Sequence, residues 1–266
     1  MSQILLIGYG AIGQYVFTSL QHCTHSKVTA VLCREGRQQQ AKAALADNIT
    51  CIHDASQVSP DIDLVIECAG HTAVSSHVPA LLRKGKTVFC ISSGVLSDPT
   101  VAQELEQAAS DGSSQLQILS GAIGGIDLLA AAKTSELESV CYRGIKPPKG
   151  WKGSPAENVV NLDALSEPVT HFEGSARQAA QTYPKNANVA ASVALAGLGF
   201  DKTRVELVAD PISTSNRHEV EAIGTFGRFT IQIEGNALPG NPRSSALTAM
   251  SVIRAIENRN ALITLG

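Results

Sequence analysis

The sequence predicts an α/β fold: a doubly wound parallel sheet followed by a second α+β domain with a mostly antiparallel sheet. Two observations favour this class. Up to residue 120, short apolar segments alternate with helical segments, as in a parallel sheet that helices cover on both faces. Beyond residue 121 this alternation ends, and later segments are typical of antiparallel strands. We therefore expect two domains, residues 1–120 with 241–266 and residues 121–240.

The first domain is predicted as strands that alternate with helices. Strands are expected at residues 4–7, 28–33, 49–52, 63–68, 86–91 and 116–119. Helices are expected at residues 14–20, 36–46, 72–84 and 98–110. The last of these helices begins with Asp98 as its N-cap and Pro99 at its first position. Because the carboxyl ends of such strands line one crevice, a small ligand is expected there.

The second domain is predicted from less regular segments. Helices are expected at residues 126–135 and 189–196, and strands at residues 139–145, 204–209, 219–224 and 228–234. The last two strands form a predicted hairpin whose turn is Thr225-Phe226-Gly227. The tail, residues 241–259, opens with Pro242 and is predicted as one amphipathic helix that packs back onto the first domain.

A glycine-rich segment joins the first strand to the first helix. It has the spacing G-x-G-x-x-G, which is the dinucleotide fingerprint of a Rossmann domain. Gly8 permits a tight turn, Gly10 lets a pyrophosphate approach the backbone, and Gly13 allows the helix to pack close to the strand. The first amide groups of the helix then face the phosphates. The predicted dinucleotide site consists of Gly8, Gly10, Ala11, Ile12 and Gly13.

The residues after the second strand bear on which dinucleotide binds. NAD-preferring folds carry an acid about 20 residues past the glycines, but Cys33 stands at that position and Glu35 is the nearest acid. Arg34 follows Cys33 and can bind a 2′-phosphate through charge-assisted hydrogen bonds. We therefore expect NADP to be accepted, with NAD as the alternative.

Composition argues against several classes of protein. The 266 residues include 21 basic and 24 acidic side chains, a net charge of −3, which indicates neither a nucleic-acid partner nor an anionic membrane surface. No apolar run approaches the ~18 residues of a membrane span. The chain enters its first strand directly, so we expect no signal peptide and a cytoplasmic location. The six cysteines lack C-x-x-C and zinc spacings, so we expect reduced thiols and no metal.

Four segments carry a resemblance to a known family. They are Gly8-Tyr9-Gly10-Ala11-Ile12-Gly13, Ser120-Gly121-Ala122-Ile123-Gly124-Gly125, Tyr183-Pro184-Lys185-Asn186-Ala187-Asn188-Val189-Ala190-Ala191 and Asn216-Arg217-His218-Glu219. Together they resemble the landmarks of the L-aspartate dehydrogenases. The resemblance implies oxidation of L-aspartate to iminoaspartate with NAD or NADP, which feeds NAD biosynthesis in many members. It also implies that Ala122 and Asn188 contact the dinucleotide and that His218 is the active-site residue.

His218 can supply the chemistry that this resemblance implies. Oxidising an amine removes a hydride from Cα and requires a base for the proton on nitrogen, and histidine serves as a base near neutral pH. His218 is expected just before a hairpin strand, after a polar loop. His171 is assigned, with four other histidines, to structural positions in helices or solvated loops.

A dicarboxylic amino acid as substrate requires cationic side chains. Lys185 and Arg217 lie within the resembling segments, and Arg243 heads the predicted tail helix. Each can hold a carboxylate, and an arginine does so through two parallel bonds. Asn188 has an alternative role as the N-cap of the helix that follows it.

Other functions stay open on the residues alone, because a fold does not determine an activity. One is a reductase of another small imine or acid. Another is a non-catalytic protein that senses NAD(P), and a third is a lyase or isomerase that keeps its nicotinamide bound and recycles the hydride. A second domain that carries a sheet favours pairing with a symmetry mate, so we expect a homodimer.

Overall fold

The computed structural model describes residues 1–45, 48–239 and 241–264, with the side chains of residues 40, 242 and 243 outside that description. The chain divides into two compact units. The first comprises Met1–Leu119 and Thr248–Gly266, and the second comprises Ser120–Leu247. Across the described residues, no helix combines the length and the apolar composition that crossing a bilayer demands.

A six-stranded parallel sheet forms the first unit. Along the chain its elements are β1 (Ser2–Ile7), α1 (Ala11–Leu20), β2 (Ser26–Leu32), α2 (Gln38–Ala44), β3 (Thr50–Ile52), β4 (Leu64–Glu67), α3 (His71–Arg83), β5 (Thr87–Cys90), α4 (Pro99–Asp111) and β6 (Leu116–Ile118). The strand order β3-β2-β1-β4-β5-β6 reverses direction next to β1, the point where sheets of this kind bind ligands. The predicted doubly wound parallel sheet is confirmed.

Two hydrophobic clusters cover the two faces of this sheet, because successive strand residues point to opposite sides. Leu6 of β1 lies in one cluster with Val252 of the C-terminal helix. Leu5 lies in the other cluster with Val78 of α3. All four side chains are fully buried, and each such burial contributes about 1.5–3 kcal/mol. This two-sided burial explains why β1 is a continuous apolar run.

The second unit contains a mixed five-stranded sheet and a two-stranded one. Its elements are α5 (Ile126–Ala132), β7 (Leu137–Lys146), β8 (Val169–Ser175), α6 (Ala176–Thr182), α7 (Asn188–Ala196), β9 (Arg204–Ala209), β10 (Asn216–Gly224), β11 (Gly227–Gly235), β12 (Ala237–Leu238) and β13 (Asn241–Ser245). The larger sheet has the order β11-β10-β7-β9-β8, and β12 pairs with β13. The mostly antiparallel second sheet is confirmed.

One strand pairing and one hairpin turn differ from the sequence prediction. β9 is antiparallel to β8 but parallel to β7. The long connection from β7 to β9, which contains β8, α6 and α7, permits this parallel pairing. The hairpin turn contains only Thr225 and Phe226, since Gly227 pairs with Gly224 within the ladder. Sequence analysis did not predict β8, α6 or the short strand β12.

The tail also differs from the predicted single helix. Residues Asn241–Ser245 form β13, and α8 (Ala246–Asn260) begins after it. The Ser245 hydroxyl accepts the Leu247 N–H at 3.3 Å. Serine is favoured at helix starts, so Ser245 suits the beginning of α8. The pair Asn241–Pro242 suits an edge strand as well as a helix start.

Candidate active site

The glycine turn of the first unit has the packing that its spacing predicts. Gly8 adopts φ +91°, and a Cβ there would lie 2.8 Å from Ala69 Cβ. A Cβ at Gly13 would lie 2.3 Å from the Gly8 carbonyl oxygen. At Gly10, by contrast, no described heavy atom lies within 4 Å of that position. Gly8 and Gly13 are therefore required by internal packing, and Gly10 leaves open space beside the backbone.

The N-terminus of α1 begins at this open space. Gly10 is its N-cap, no side chain caps the helix, and no acid stands in its first turn. The first-turn amides of Ala11, Ile12 and Gly13 have no acceptor within the helix, and the helix dipole adds partial positive charge there. This arrangement is suited to binding phosphate.

Arg34 lies in the loop that follows β2. The Gly8 N–H donates to the Leu32 carbonyl at 2.8 Å, which joins the glycine turn to the end of β2. Cys33 is buried, whereas Arg34 and Glu35 are exposed. The loop after β2 therefore exposes one basic and one acidic side chain close to the glycine turn.

Glu67 organises the neighbouring strand ends, and sequence analysis did not single it out. Its carboxylate is fully buried at the end of β4. Oε1 accepts the N–H groups of Ala69 and Gly70, both at 2.7 Å, and Oε2 accepts the Ser92 N–H at 3.3 Å. Burial, and then the charge of Glu67, raises the pKa of the Cys90 thiol well above its usual range. A single acid closing an apolar strand was the available signal.

His218 lies within β10, on the buried face of the second sheet, rather than before the strand as predicted. Its Nδ1 lies 2.8 Å from Tyr142 Oη. His218 pairs with Gly144 of β7, and a Cβ at residue 144 would lie 2.7 Å from the Tyr142 hydroxyl. The glycine therefore leaves room for the tyrosine to reach the imidazole.

Both partners of this pair are uncharged at neutral pH. Burial, and then the charge of Lys146, lowers the pKa of His218 to about 4. Burial raises the pKa of Tyr142 above its ordinary value. When Nδ1–H donates to the tyrosine oxygen, Nε2 carries the lone pair of a base. Among the described residues, nothing forms a hydrogen bond with Nε2.

Lys146 is a buried cation on the same face of the sheet. It ends β7, where residues 140, 142, 144 and 146 share one face. Its Nζ donates to Asn186 Oδ1 at 2.9 Å and lies 4.9 Å from the Trp151 ring centroid. Burial lowers the pKa of Lys146 to about 8. Sequence analysis missed this residue, although a lysine in the inward register of an alternating strand was the signal.

His171 belongs to the same cluster and is not in a solvated loop. It is buried in β8, its Nδ1 lies 3.1 Å from Tyr183 Oη, and its ring packs edge-on against Trp151 at 4.4 Å. Its Nε2 is buried and has no hydrogen-bond partner among the described residues. Burial is the main reason why the pKa of His171 falls to about 4, and the charge of Lys146 lowers it further.

Two residues that the resemblance singled out lie on elements beside this face. Ala122 is buried in the turn before α5, and a Cβ at Gly124 in that turn would lie 3.3 Å from Ile233, which pairs with His218. Asn188 is the first residue of α7, with Ala187 as its N-cap. The alternative role of Asn188 as the N-cap is therefore wrong.

The two predicted cations whose side chains the structure describes, Lys185 and Arg217, do not join the cluster. Lys185 is exposed. Arg217 points to the opposite face of β10 from His218, and its Nε lies 3.0 Å from Glu219 Oε1 without hydrogen-bond geometry. Arg243 lies in β13 rather than at the start of a helix, and its side chain is outside the described part of the chain.

Two family models match this chain. A family model described as "Aspartate dehydrogenase, C-terminal" matches residues 127–259. A model described as "Homoserine dehydrogenase, NAD binding domain" matches residues 8–118. The match to residues 8–118 lies within the first unit, whereas the match to residues 127–259 covers most of the second unit and extends into the C-terminal segment of the first.

Relatives cover the whole chain. An L-aspartate dehydrogenase from Ruegeria pomeroyi is 50% identical over 98% of this chain and 94% of its own length. One from Ralstonia pickettii is 46% identical over all of both chains. The crystal structure of an aspartate dehydrogenase from Thermotoga maritima has a TM-score of 0.81 at 26% identity, with both chains fully covered.

Proposed function

This chain belongs to the L-aspartate dehydrogenase family, and from that premise we infer that it oxidises the CH–NH2 group of L-aspartate with a nicotinamide dinucleotide. The products are iminoaspartate, the reduced dinucleotide and one proton. We propose roles for the two units: Met1–Leu119 with Thr248–Gly266 binds the dinucleotide, and Ser120–Leu247 carries the substrate and acid–base groups.

The glycine turn fits the dinucleotide. Open space at Gly10 and the uncapped N-terminus of α1 support binding of the pyrophosphate there, through Gly8, Gly10, Ala11, Ile12 and Gly13. When bound, the dinucleotide supplies the hydride acceptor. On the second unit we assign Ala122 and Asn188 to contacts with the dinucleotide, on the strength of the family resemblance.

The conclusion about mechanism rests on one observation, the buried His218 ring held by Tyr142 at Nδ1. The substrate ammonium must lose a proton before its lone pair can form the C=N bond as the hydride leaves Cα. His218 Nε2 accepts that proton. The low pKa keeps the imidazole neutral at pH 7, so the Nε2 lone pair is available to accept a proton, although the same shift makes His218 a weaker base than an ordinary histidine.

We further propose that NADP is accepted, because Arg34 is exposed in the loop after β2 and can reach a 2′-phosphate. The neighbouring Glu35 carboxylate repels a 2′-phosphate, so we retain NAD as a second possible cofactor. We also propose a homodimer, because a second domain that carries a sheet favours pairing with a symmetry mate, and a place in NAD biosynthesis, as the family resemblance implies.

A direct assay tests the function. Purified protein is incubated with L-aspartate and either NAD⁺ or NADP⁺ at alkaline pH, and absorbance of the reduced nicotinamide is followed. We expect that signal to grow with L-aspartate and to be far weaker with D-aspartate. No growth with either dinucleotide would overturn the proposal. In that case, a dinucleotide that stays tightly bound through purification would favour a lyase that recycles the hydride internally. Protein purified without a bound dinucleotide would favour a sensor.

A further inference from the structure

The second unit contains a buried positive charge that no described carboxylate neutralises. Lys146 is only 8% exposed, and no ion pair joins it to an acid within the described residues. Its Nζ is held by one amide oxygen, of Asn186, and by the face of Trp151. A buried ammonium without a counter-charge is unfavourable unless something neutralises it. The position therefore fits an anion that comes from outside the chain.

A second group in the same place also lacks a partner. His171 is 6% exposed, and its Nε2 is completely enclosed without a hydrogen bond to any described residue. Leaving such a buried group without a hydrogen bond is unfavourable. When the Tyr183 hydroxyl donates to Nδ1, Nε2 carries the ring proton and is a donor.

Contacts around Trp151 place these two groups together. The Lys146 ammonium and the His171 ring both pack against the indole. Lys146 Nζ lies 4.9 Å from the indole ring centroid, and the His171 and Trp151 ring centroids are 4.4 Å apart. Trp151 is itself fixed by its Nε1–H, which donates to the Val208 carbonyl at 2.9 Å. The Tyr183 hydroxyl forms a hydrogen bond with His171, and Asn186, three residues further along the chain, forms one with Lys146.

Lys146 lies on the same face of the sheet as His218 and Tyr142. Gly144 pairs with His218, and Lys146 is two residues further along β7, about 7 Å at the usual strand rise. In L-aspartate, the side-chain carboxyl carbon is two bonds from the Cα that gives up the hydride. A subsite at that separation suits one carboxylate of the substrate while its amine lies at His218.

We propose that Lys146 Nζ and His171 Nε2 form the subsite that binds the side-chain carboxylate of the dicarboxylic substrate. This inference rests on the proposed function. When the entering substrate displaces the atoms that cover Nε2, the ammonium and the imidazole N–H each donate to one carboxylate oxygen. This gives Nε2 a partner and neutralises the buried charge. Lys146 and His171 thus determine selectivity for a dicarboxylic amino acid over one with a neutral side chain.

The test compares Lys146→Met with the wild-type protein on L-aspartate and on L-asparagine, which has the same shape without the charge. Methionine keeps the apolar stem and removes the ammonium. We expect KM for L-aspartate to rise roughly 30- to 100-fold, the loss of a charge-assisted hydrogen bond, with a much smaller change in kcat. The preference for L-aspartate over L-asparagine should collapse. Lys202→Met, which removes an exposed lysine, is the matched control and should leave both substrates unaffected.

A binding measurement separates this inference from the proposed function. Succinate, a dicarboxylate without an amine, is titrated by calorimetry into wild-type protein, Lys146→Met and His171→Phe, which keeps a ring against Trp151. We expect binding to the wild-type protein and at least ~10-fold weaker binding to both variants. If L-aspartate is not oxidised but succinate binds through Lys146, the proposed function fails and the subsite stands. If oxidation proceeds and Lys146→Met keeps its KM and its selectivity, the subsite is wrong. The His171→Phe arm decides the matter should Lys146→Met fail to fold.

Discussion

The Tyr142 hydroxyl lies 2.8 Å from His218 Nδ1, although the two residues are 76 positions apart in the chain. They meet because β7 and β10 are neighbouring antiparallel strands with Gly144 opposite His218. The glycine gives the tyrosine room to lean across the sheet toward the imidazole. This contact orients the ring and leaves Nε2 without a hydrogen bond to the described residues.

Replacing His218 by alanine removes the proposed acid–base group. We expect turnover to fall by roughly two or more decades, while affinity for the dinucleotide stays nearly unchanged because His218 is not among the residues proposed to bind the dinucleotide. Steady-state rates and dinucleotide titration by fluorescence measure the two effects. A variant with full activity would remove His218 from the mechanism.

Tyr142→Phe keeps the ring and removes only the hydroxyl. The imidazole loses its positioning bond, so we expect kcat to fall roughly 3- to 10-fold with little change in KM. A loss confined to KM would assign Tyr142 to substrate binding instead.

Gly144→Ala tests the room that the tyrosine needs. The added methyl would lie 2.7 Å from the Tyr142 hydroxyl, so we expect the free energy of unfolding to fall by about 1–3 kcal/mol. Removing the hydroxyl relieves that collision. The double variant with Tyr142→Phe should therefore be less destabilised than the sum of the single variants, and urea unfolding measures this cycle. Strict additivity would contradict the steric account.

Arg34→Ala tests the cofactor prediction. We expect affinity for NADP to fall much more than affinity for NAD, because only NADP carries the 2′-phosphate. Arg37→Ala, three residues on and likewise exposed, controls for the general loss of positive charge. Equal losses for both dinucleotides in Arg34→Ala would refute the assigned contact.

The buried histidines make stability depend on pH. The pKa values of His171 and His218 are about 4 in the folded protein, below the ordinary value near 6.5. Between these values the unfolded chain binds more protons, so the free energy of unfolding falls as pH drops from about 6.5 toward 4, by roughly 3 kcal/mol per histidine at most. Urea unfolding at several pH values measures this slope. His171→Phe should show a shallower slope, and an unchanged slope would mean that His171 titrates normally.

Much of the first unit could be predicted because its signals are local. The apolar run of β1, the glycine spacing and the Asp98 cap each lie within a few consecutive residues. The Asp98 carboxylate accepts the Thr100 N–H at 2.9 Å, as expected of the predicted N-cap. The tail was harder, since residues 241–245 pair with a strand that the pattern did not contain.

The sequence alone determined the parallel sheet and the glycine turn, and it singled out His218 through resemblance, because periodicity, backbone freedom and motif order are all written in neighbouring residues. Only the tertiary structure decided which cation is buried on the sheet face that carries His218. Lys185 is exposed and Arg217 faces the other side of its strand, whereas Lys146 is buried with Asn186 and Trp151. Burial and partnership of a charge depend on which distant strands and loops pack together, and strand register and packing set that only once the chain has folded.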